Sequence, residues 1–227
     1  DMAHILAEAV ITLFPNAKPT IGPFIKNGFY YDFDMESTLS DDDLANIEKK
    51  MKEILSEGRD FLKRAVTKKE ASEIFKDNKY KLELINNLDN SDEITLYEQK
   101  NFTDLCKGPH HKSTKDYNAS FKITNVSGAY WRGISTNKML QRIYATAWYS
   151  EKELRIYLKN LEEAKERNHR RLGTDMGLFL LTDLSAGNVF WKDKGLTLYQ
   201  NIEKYIRSEQ QKLNYFEVKT PELVSNE

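Results

Sequence analysis

Gly28-Phe29-Tyr30-Tyr31-Asp32-Phe33-Asp34 is the stretch on which the fold class turns. An aromatic run that alternates behind a glycine suits a strand of an antiparallel sheet, with one pleated face buried. Upstream, apolar residues recur at helical spacing from position 5 to 13. Pro15, Pro19 and Pro23 then break the pattern, which predicts a first helix ending near Phe14. Downstream, Ser40 caps a predicted helix whose Leu44, Ile47, Met51, Ile54 and Leu55 form one stripe, with Gly58 as its end. Thr67-Lys68-Lys69-Glu70 has the pattern of a capping box opening a short helix through Phe75, while residues 80–88 fit helix or strand equally. Strands are expected at 94–99, 101–105, 121–126 and 129–132, separated by glycine and polar turns. The fold class is therefore α+β, an antiparallel sheet with packed helices.

Beyond position 149, Ser150-Glu151-Lys152-Glu153 is another capping box. It starts a predicted helix with Leu154, Leu158, Leu161 and Ala164 on one face, running to about Arg171 and closed by Gly173. A strand at 188–191, an amphipathic helix at 196–213 and a strand at 215–218 ending at Thr220-Pro221 complete the chain, with a domain boundary expected near residue 172. The first residues read as the middle of a helix, so the natural protein is expected to begin earlier.

Lys and Arg number 34 against 35 Asp and Glu in 227 residues, so net charge names no partner. The distribution is more informative. Nine acids and three lysines crowd residues 32–57, whereas residues 117–150 contain no acid and carry Lys122, Arg132, Lys138 and Arg142. A single cysteine excludes an internal disulfide and fits a reducing compartment, the cytoplasm. No apolar run is long enough to span a membrane.

Chemistry concentrates in Asp104-Leu105-Cys106-Lys107-Gly108-Pro109-His110-His111, where a predicted strand enters a Gly-Pro turn. Such a turn can hold a thiol and an imidazole on one side of a cleft, to ligate a metal or orient a water. His4 on an apolar helix reads by itself as a core histidine and Tyr31 as a core aromatic, while Lys81 fits a solvated lysine and a functional one equally. Residues 117–150 add Tyr117, Phe121, Tyr130, Trp131, Tyr144, Trp148 and Tyr149 to their four cations, a combination that suits single-stranded RNA, although at least half of these rings are expected in the core. Lys138 and Arg142, four apart, are expected on one helix face.

Taken in order, His4, Gly28-Phe29-Tyr30-Tyr31-Asp32, the Asp104 to His110 turn, Gly128-Ala129-Tyr130-Trp131-Arg132-Gly133 and Asn137-Lys138-Met139-Leu140-Gln141-Arg142-Ile143-Tyr144 resemble threonyl-tRNA synthetases. The resemblance covers essentially the whole chain. It implies an editing domain at 1–149, a linker helix at 150–172 and, at 173–227, an incomplete start of a class II catalytic domain that includes motif 1. The implied activity is hydrolysis of serine wrongly attached to threonine tRNA. The implied catalytic residues are His4, Lys81, Cys106 and His110, with Tyr31 and Asp104 binding substrate and Arg132, Lys138 and Arg142 contacting tRNA. The family's H-x3-H pair would put its first histidine just before Asp1. No cofactor is implied for these residues, and no metal in the editing cleft. ATP, Mg and Zn, and a homodimer through the class II domain, are expected of a full-length synthetase. Two alternatives stand beside this reading: a zinc-dependent hydrolase of the alanyl editing type, and a tRNA-docking module without catalysis. Which group is the general base stays open.

Overall fold

A computed structural model describes residues 1–89, 93–100, 102–116, 118–185 and 187–221. In chain order its elements are α1 (Met2–Leu13), β1 (Lys18–Pro19), β2 (Phe24–Ile25), β3 (Gly28–Asp34), α2 (Asp41–Ser56), β4 (Leu62–Val66), α3 (Lys68–Ile74), α4 (Lys79–Asn86), β5 (Ile94–Gln99), β6 (Phe102–Leu105), β7 (Ser120–Tyr130), β8 (Met139–Trp148), α5 (Glu151–Glu166), α6 (His169–Asp175), β9 (Phe179–Leu180), β10 (Phe190–Trp191) and α7 (Asp193–Lys212). Two compact units divide within α5: Asp1–Tyr157 and Leu158–Glu227.

The first unit is α+β and its strand pairs are all antiparallel. One sheet runs β1-β3-β8-β7, with β2 also on β3; the other runs β4-β5-β6. The expected strand at 28–34 is β3, and its alternation works as read. Phe29, Tyr31 and Phe33 are buried against Ile5, Leu6, Val10, Ile47, Met51 and Ile54 from α1 and α2. The capping box expected at Thr67 forms with Glu70, and the Ser40 cap is itself a box with Asp43, each side chain bonded to the other residue's backbone; at the box expected at Ser150, the hydroxyl accepts from the Glu153 N–H and donates to the Glu153 carboxylate. Residues 80–88, undecided by pattern, lie mostly in α4, because Asn78 accepts hydrogen bonds from the N–H groups of Tyr80 and Lys81 and starts a helix there.

Several expectations are corrected. Residues 129–132 are not a separate strand: β7 runs unbroken to Tyr130, and Trp131–Gly133 is a short 3-10 turn with Arg132 at φ +57°. Lys138 and Arg142 share no helix, since residues 139–148 form β8. Their alternation was obscured because the strand is buried on both faces, with Ile143 in the main core and Leu140 in a second cluster with Tyr80 and Trp131. The helix expected from 151 to 171 stops at Glu166, and Asn168 caps α6 by accepting from the Arg170 N–H. Gly173 is not its end: it lies inside α6, where a Cβ would sit 2.2 Å from the Phe179 ring. Residues 215–218 form no strand; Tyr215, Phe216 and Val218 are exposed. Asn101 and Tyr117, named in two expectations, lie outside the described residues, as does the end of the last predicted segment, 222–227.

The second unit holds the end of α5 from Leu158, α6, the β9-β10 hairpin and α7. No described helix in the chain is long and apolar enough to cross a membrane.

Candidate active site

β6 brings Asp104 opposite Tyr97 of β5, and the ladder ends one residue later. Cys106 is then fixed at both backbone groups by Thr95: its N–H donates to the Thr95 carbonyl (3.1 Å), and its carbonyl accepts from the Thr95 hydroxyl (2.5 Å). Gly108 takes φ +70°, and a Cβ there would meet the Tyr97 hydroxyl at 2.2 Å, so only glycine lets the turn close on Tyr97. The Gly108-Pro109 peptide is cis. The turn returns His110 to the thiol, with Cys106 Sγ and His110 Nε2 3.1 Å apart. The other nitrogen, Nδ1, lies 2.5 Å from Asp1 Oδ1. Tyr97 packs edge-on against the His110 ring, and Phe61 stacks on it. Asp1, Tyr97, Thr95 and Phe61 belong to the site but were not found by sequence reasoning, since none carries a signal beyond ordinary strand or cap chemistry.

His4 rises from α1 to the same place, its ring centroid 4.5 Å from that of His110. Its Nε2 is 3.6 Å from Asp104 Oδ2, and its buried Nδ1 has no hydrogen-bond partner among the described residues. An orphaned polar atom in such a position calls for a water, a ligand or an ion. Behind His4 lies a fully packed polar layer. Lys81 forms an ion pair with Asp104, and its ammonium donates to the Tyr31 hydroxyl at 3.2 Å; that hydroxyl donates in turn to Asp104. All three side chains are buried. Burial first, and then the Asp104 carboxylate, raise the Tyr31 pKa well above the ordinary phenol value, so the phenol stays a donor. For Cys106 burial pushes the thiol upward, but hydrogen bonds from His110, His4 and the Gly108 N–H prevail and bring it down to about 5.

A cavity of about 580 Å³ opens over this arrangement. His4, Cys106 and His110 line it, and so do Phe24 and Tyr149, which are 90% and 82% exposed. Tyr31, Lys81 and Asp104 are not among its lining residues; they meet it through His4. The six residues expected in the cleft are thus brought together in two layers. The nitrogen and sulfur atoms of His4, Cys106 and His110 lie within 4.8 Å of one another, a donor set that fits a thiophilic metal. A second cavity, of about 360 Å³, runs along α7 in the other unit and carries neither histidine nor cysteine.

Arg132, Lys138 and Arg142 do not join this cavity. Arg142 binds Asp32 through two nitrogens (2.7 and 2.8 Å) and lies over the Tyr30 ring at 3.9 Å. Lys138 Nζ is 2.5 Å from Asp34 Oδ1, and Arg132 Nε is 2.6 Å from Glu83 Oε1.

Comparison with known proteins gives first a class. Residues 94–144, which carry Asp104, Cys106 and His110, match the family described as the threonyl and alanyl tRNA synthetase second additional domain. The whole chain then aligns with threonine–tRNA ligases. Identity is 50% with that of Wolbachia pipientis from Culex pipiens and 48% with that of Ehrlichia chaffeensis, each over 100% of this chain and 36% of the relative. With the ligase of Paramagnetospirillum magneticum it is 49%, over 99% of this chain and 35% of the relative. The chain is a homologue of threonine–tRNA ligases, which are aminoacyl-tRNA synthetases, and spans about a third of the length of these relatives.

Proposed function

We propose that residues 1–149 are the editing domain of a threonine–tRNA ligase and hydrolyse the ester of serine wrongly joined to tRNA(Thr). The observation that carries this reading is a thiol and two imidazoles on the floor of a cavity, backed by the buried Lys81–Asp104–Tyr31 layer. A synthetic site built for threonine cannot strongly refuse serine, because one methyl is worth only about 1–3 kcal/mol. A second pocket that excludes the methyl by size supplies the remaining discrimination. Water attacks the ester carbonyl carbon and yields its proton to an imidazole; the bond to the ribose oxygen breaks and that oxygen takes up a proton, releasing serine and tRNA. His4 and His110 exchange protons at the floor, Lys81 polarises from behind and Cys106 holds His110; for Tyr31 and Asp104 to fix the seryl amine, the buried layer behind His4 must open to the cavity. At the mouth, Phe24 and Tyr149 offer faces for the terminal unpaired base.

Residues 150–172 are proposed as the linker and 173–227 as the start of the class II domain with motif 1. The whole ligase would attach threonine to tRNA(Thr) with ATP, Mg and Zn, and would dimerise through that domain. Contact of Arg132, Lys138 and Arg142 with tRNA requires each to exchange its present carboxylate for a phosphate. The test is deacylation of seryl-tRNA(Thr) against threonyl-tRNA(Thr), by this chain and by one carrying a histidine ahead of Asp1. Selective hydrolysis of the seryl ester supports the reading; binding of tRNA without hydrolysis of either ester makes the chain a docking module.

A second reading is favoured by one observation, the spacing of His4, Cys106 and His110. Three such ligands leave a fourth position for water, as in zinc hydrolases of the alanyl editing type. The metal-free reading keeps Cys106 and His110 as partners of each other rather than of an ion. Elemental analysis of dialysed protein, with a chelator challenge during deacylation, separates them: stoichiometric zinc with activity lost to chelator establishes the second.

A further inference from the structure

Arg132 is the starting point, because it holds a left-handed backbone (φ +57°) that an arginine adopts only against strain. Its surroundings enforce that conformation. The Trp131 N–H donates to the Lys138 carbonyl at 3.0 Å, and the Asn137 side-chain amide donates to the Trp131 carbonyl, also at 3.0 Å. The consequence is directional. The turn drives the Trp131 indole under α4, where its Nε1–H donates to Glu83 Oε2 (2.9 Å) and its ring meets Tyr80 edge-on at 5.0 Å. Arg132 reaches the other Glu83 oxygen. Tyr80 donates its hydroxyl to Asp34 at 2.7 Å, and Lys138 holds the opposite oxygen of the same carboxylate. Burial opposes ionisation of Asp34, but Lys138 and Tyr80 outweigh it and keep the carboxyl below its usual range. Tyr80, Trp131 and Leu140 form a separate buried cluster, with Ile21 and Leu84 against it.

Lys81 is the next residue after Tyr80. Asp34 and Tyr31, three apart on β3, face opposite sides of the sheet. Tyr80 therefore reaches the outer side while Lys81 reaches the inner one. We infer that the 128–138 segment, through Trp131, Arg132 and Lys138, together with Tyr80, Glu83 and Asp34, is a clamp that positions α4 so that Lys81 meets Asp104 and Tyr31 behind the cavity. These are positioning residues, and in this role Arg132 and Lys138 serve the pocket rather than the RNA. The inference rests on the editing function proposed above.

The test uses the whole chain carrying Tyr80→Phe, Trp131→Phe or Lys138→Ala, on two substrates: seryl-tRNA(Thr) and serine methyl ester, which has no RNA. A clamp predicts that Tyr80→Phe and Trp131→Phe lower kcat about tenfold on both substrates with KM little changed, the scale expected when a reacting group is slightly misplaced. Lys138→Ala, which removes a half-exposed pair, should lower kcat in the same direction but less, by about twofold. A third measurement does not depend on activity: labelling of lysines by an amine reagent, read by mass spectrometry. Lys81 should react far more slowly than exposed lysines in the parent chain and at least about fivefold faster in both aromatic variants, the loss of one net hydrogen bond. Unchanged Lys81 labelling in both aromatic variants overturns the clamp even if the parent chain hydrolyses neither ester, an outcome that would count against the editing function instead. A raised KM for seryl-tRNA alone, with methyl ester turnover untouched, also overturns it and returns these residues to RNA contact.

Discussion

Cys106 is poised between a carboxylate-held imidazole and a buried one, and its protonation follows from that geometry. Burial raises the thiol pKa; His110, His4 and the Gly108 N–H bring it down to about 5. Thiolate absorbance at 240 nm, recorded with chelator present, should therefore titrate near pH 5, and His110→Ala should move the midpoint upward. The stability sign follows. With the folded value below the unfolded one, Cys106 contributes fully above the unfolded thiol pKa and ceases to contribute as pH falls through about 5. Urea titrations at several pH values should show that slope shrink in His110→Ala. For catalysis, Lys81→Ala and His110→Ala should each lower seryl-tRNA hydrolysis by at least about 100-fold, the low end of general acid–base contributions. Near-parental rates for both would remove them from the chemistry. The motif order pointed to Lys81 and Asp104 without showing that the two are paired with each other and closed off behind His4. That pairing depends on where α4 lies against β3, which local sequence does not encode.

At the scale of elements, the uneven charge of the chain resolves into pairing between strands and helix. Asp32 and Asp34 on β3 meet Arg142 and Lys138 on or beside β8, and Glu48 of α2 meets Lys122 on β7. Three of the four cations in the acid-free segment read in sequence as RNA-facing thus find their counter-charges in the acid-rich segment 32–57, while Arg132 meets Glu83 of α4. The asymmetry was visible in the sequence, and its meaning required the antiparallel register. The helices with caps and the strand at β3 were legible because each carries a local signal: a side-chain cap, or alternation over one buried face. β4 was not found, because Leu62, Lys63, Arg64 and Ala65 are all exposed and the strand buries no face that would impose a period. The turn after β6 is the element most sensitive to a small change. Gly108→Ala forces a side chain into a left-handed residue against Tyr97 and should displace His110. The expected outcome is a lower Tm together with a Cys106 titration midpoint shifted upward, since the His110 contact is the leading cause of its depression. On the cavity rim, Phe24→Ala and Tyr149→Ala should leave the Tm unchanged while raising KM for seryl-tRNA severalfold or more, as loss of about 1–3 kcal/mol of base stacking requires. An unchanged KM would take the base off this rim.

Across the whole molecule, the two units differ in what holds them together. All three hydrophobic clusters lie in Asp1–Tyr157, and among the described residues no hydrophobic side chain beyond Leu154 is buried. In Leu158–Glu227 the large apolar side chains of α7, including Leu196, Leu198, Ile202, Tyr205 and Ile206, are 43–64% exposed. A unit of that size that leaves its apolar stripe in water forgoes about 1.5–3 kcal/mol for each large side chain, and has little to set against the entropy of ordering its backbone. The first unit, by contrast, buries Phe33, Ile47 and Met51 completely. A chain ending at Tyr157 should therefore keep the main cooperative unfolding transition, within a few degrees of the parent, and keep whatever seryl-tRNA hydrolysis the parent shows. Residues 158–227 alone should lack cooperative unfolding and should gain helicity only on association. Met51→Ala, which empties part of the main cluster, should cost about 2–5 kcal/mol in the parent and the same in the 1–157 chain. Circular dichroism melts and urea titrations of the three chains measure this. Loss of folding in the 1–157 chain would show that the core of the first unit depends on the second, and that the site is not carried by the first unit alone.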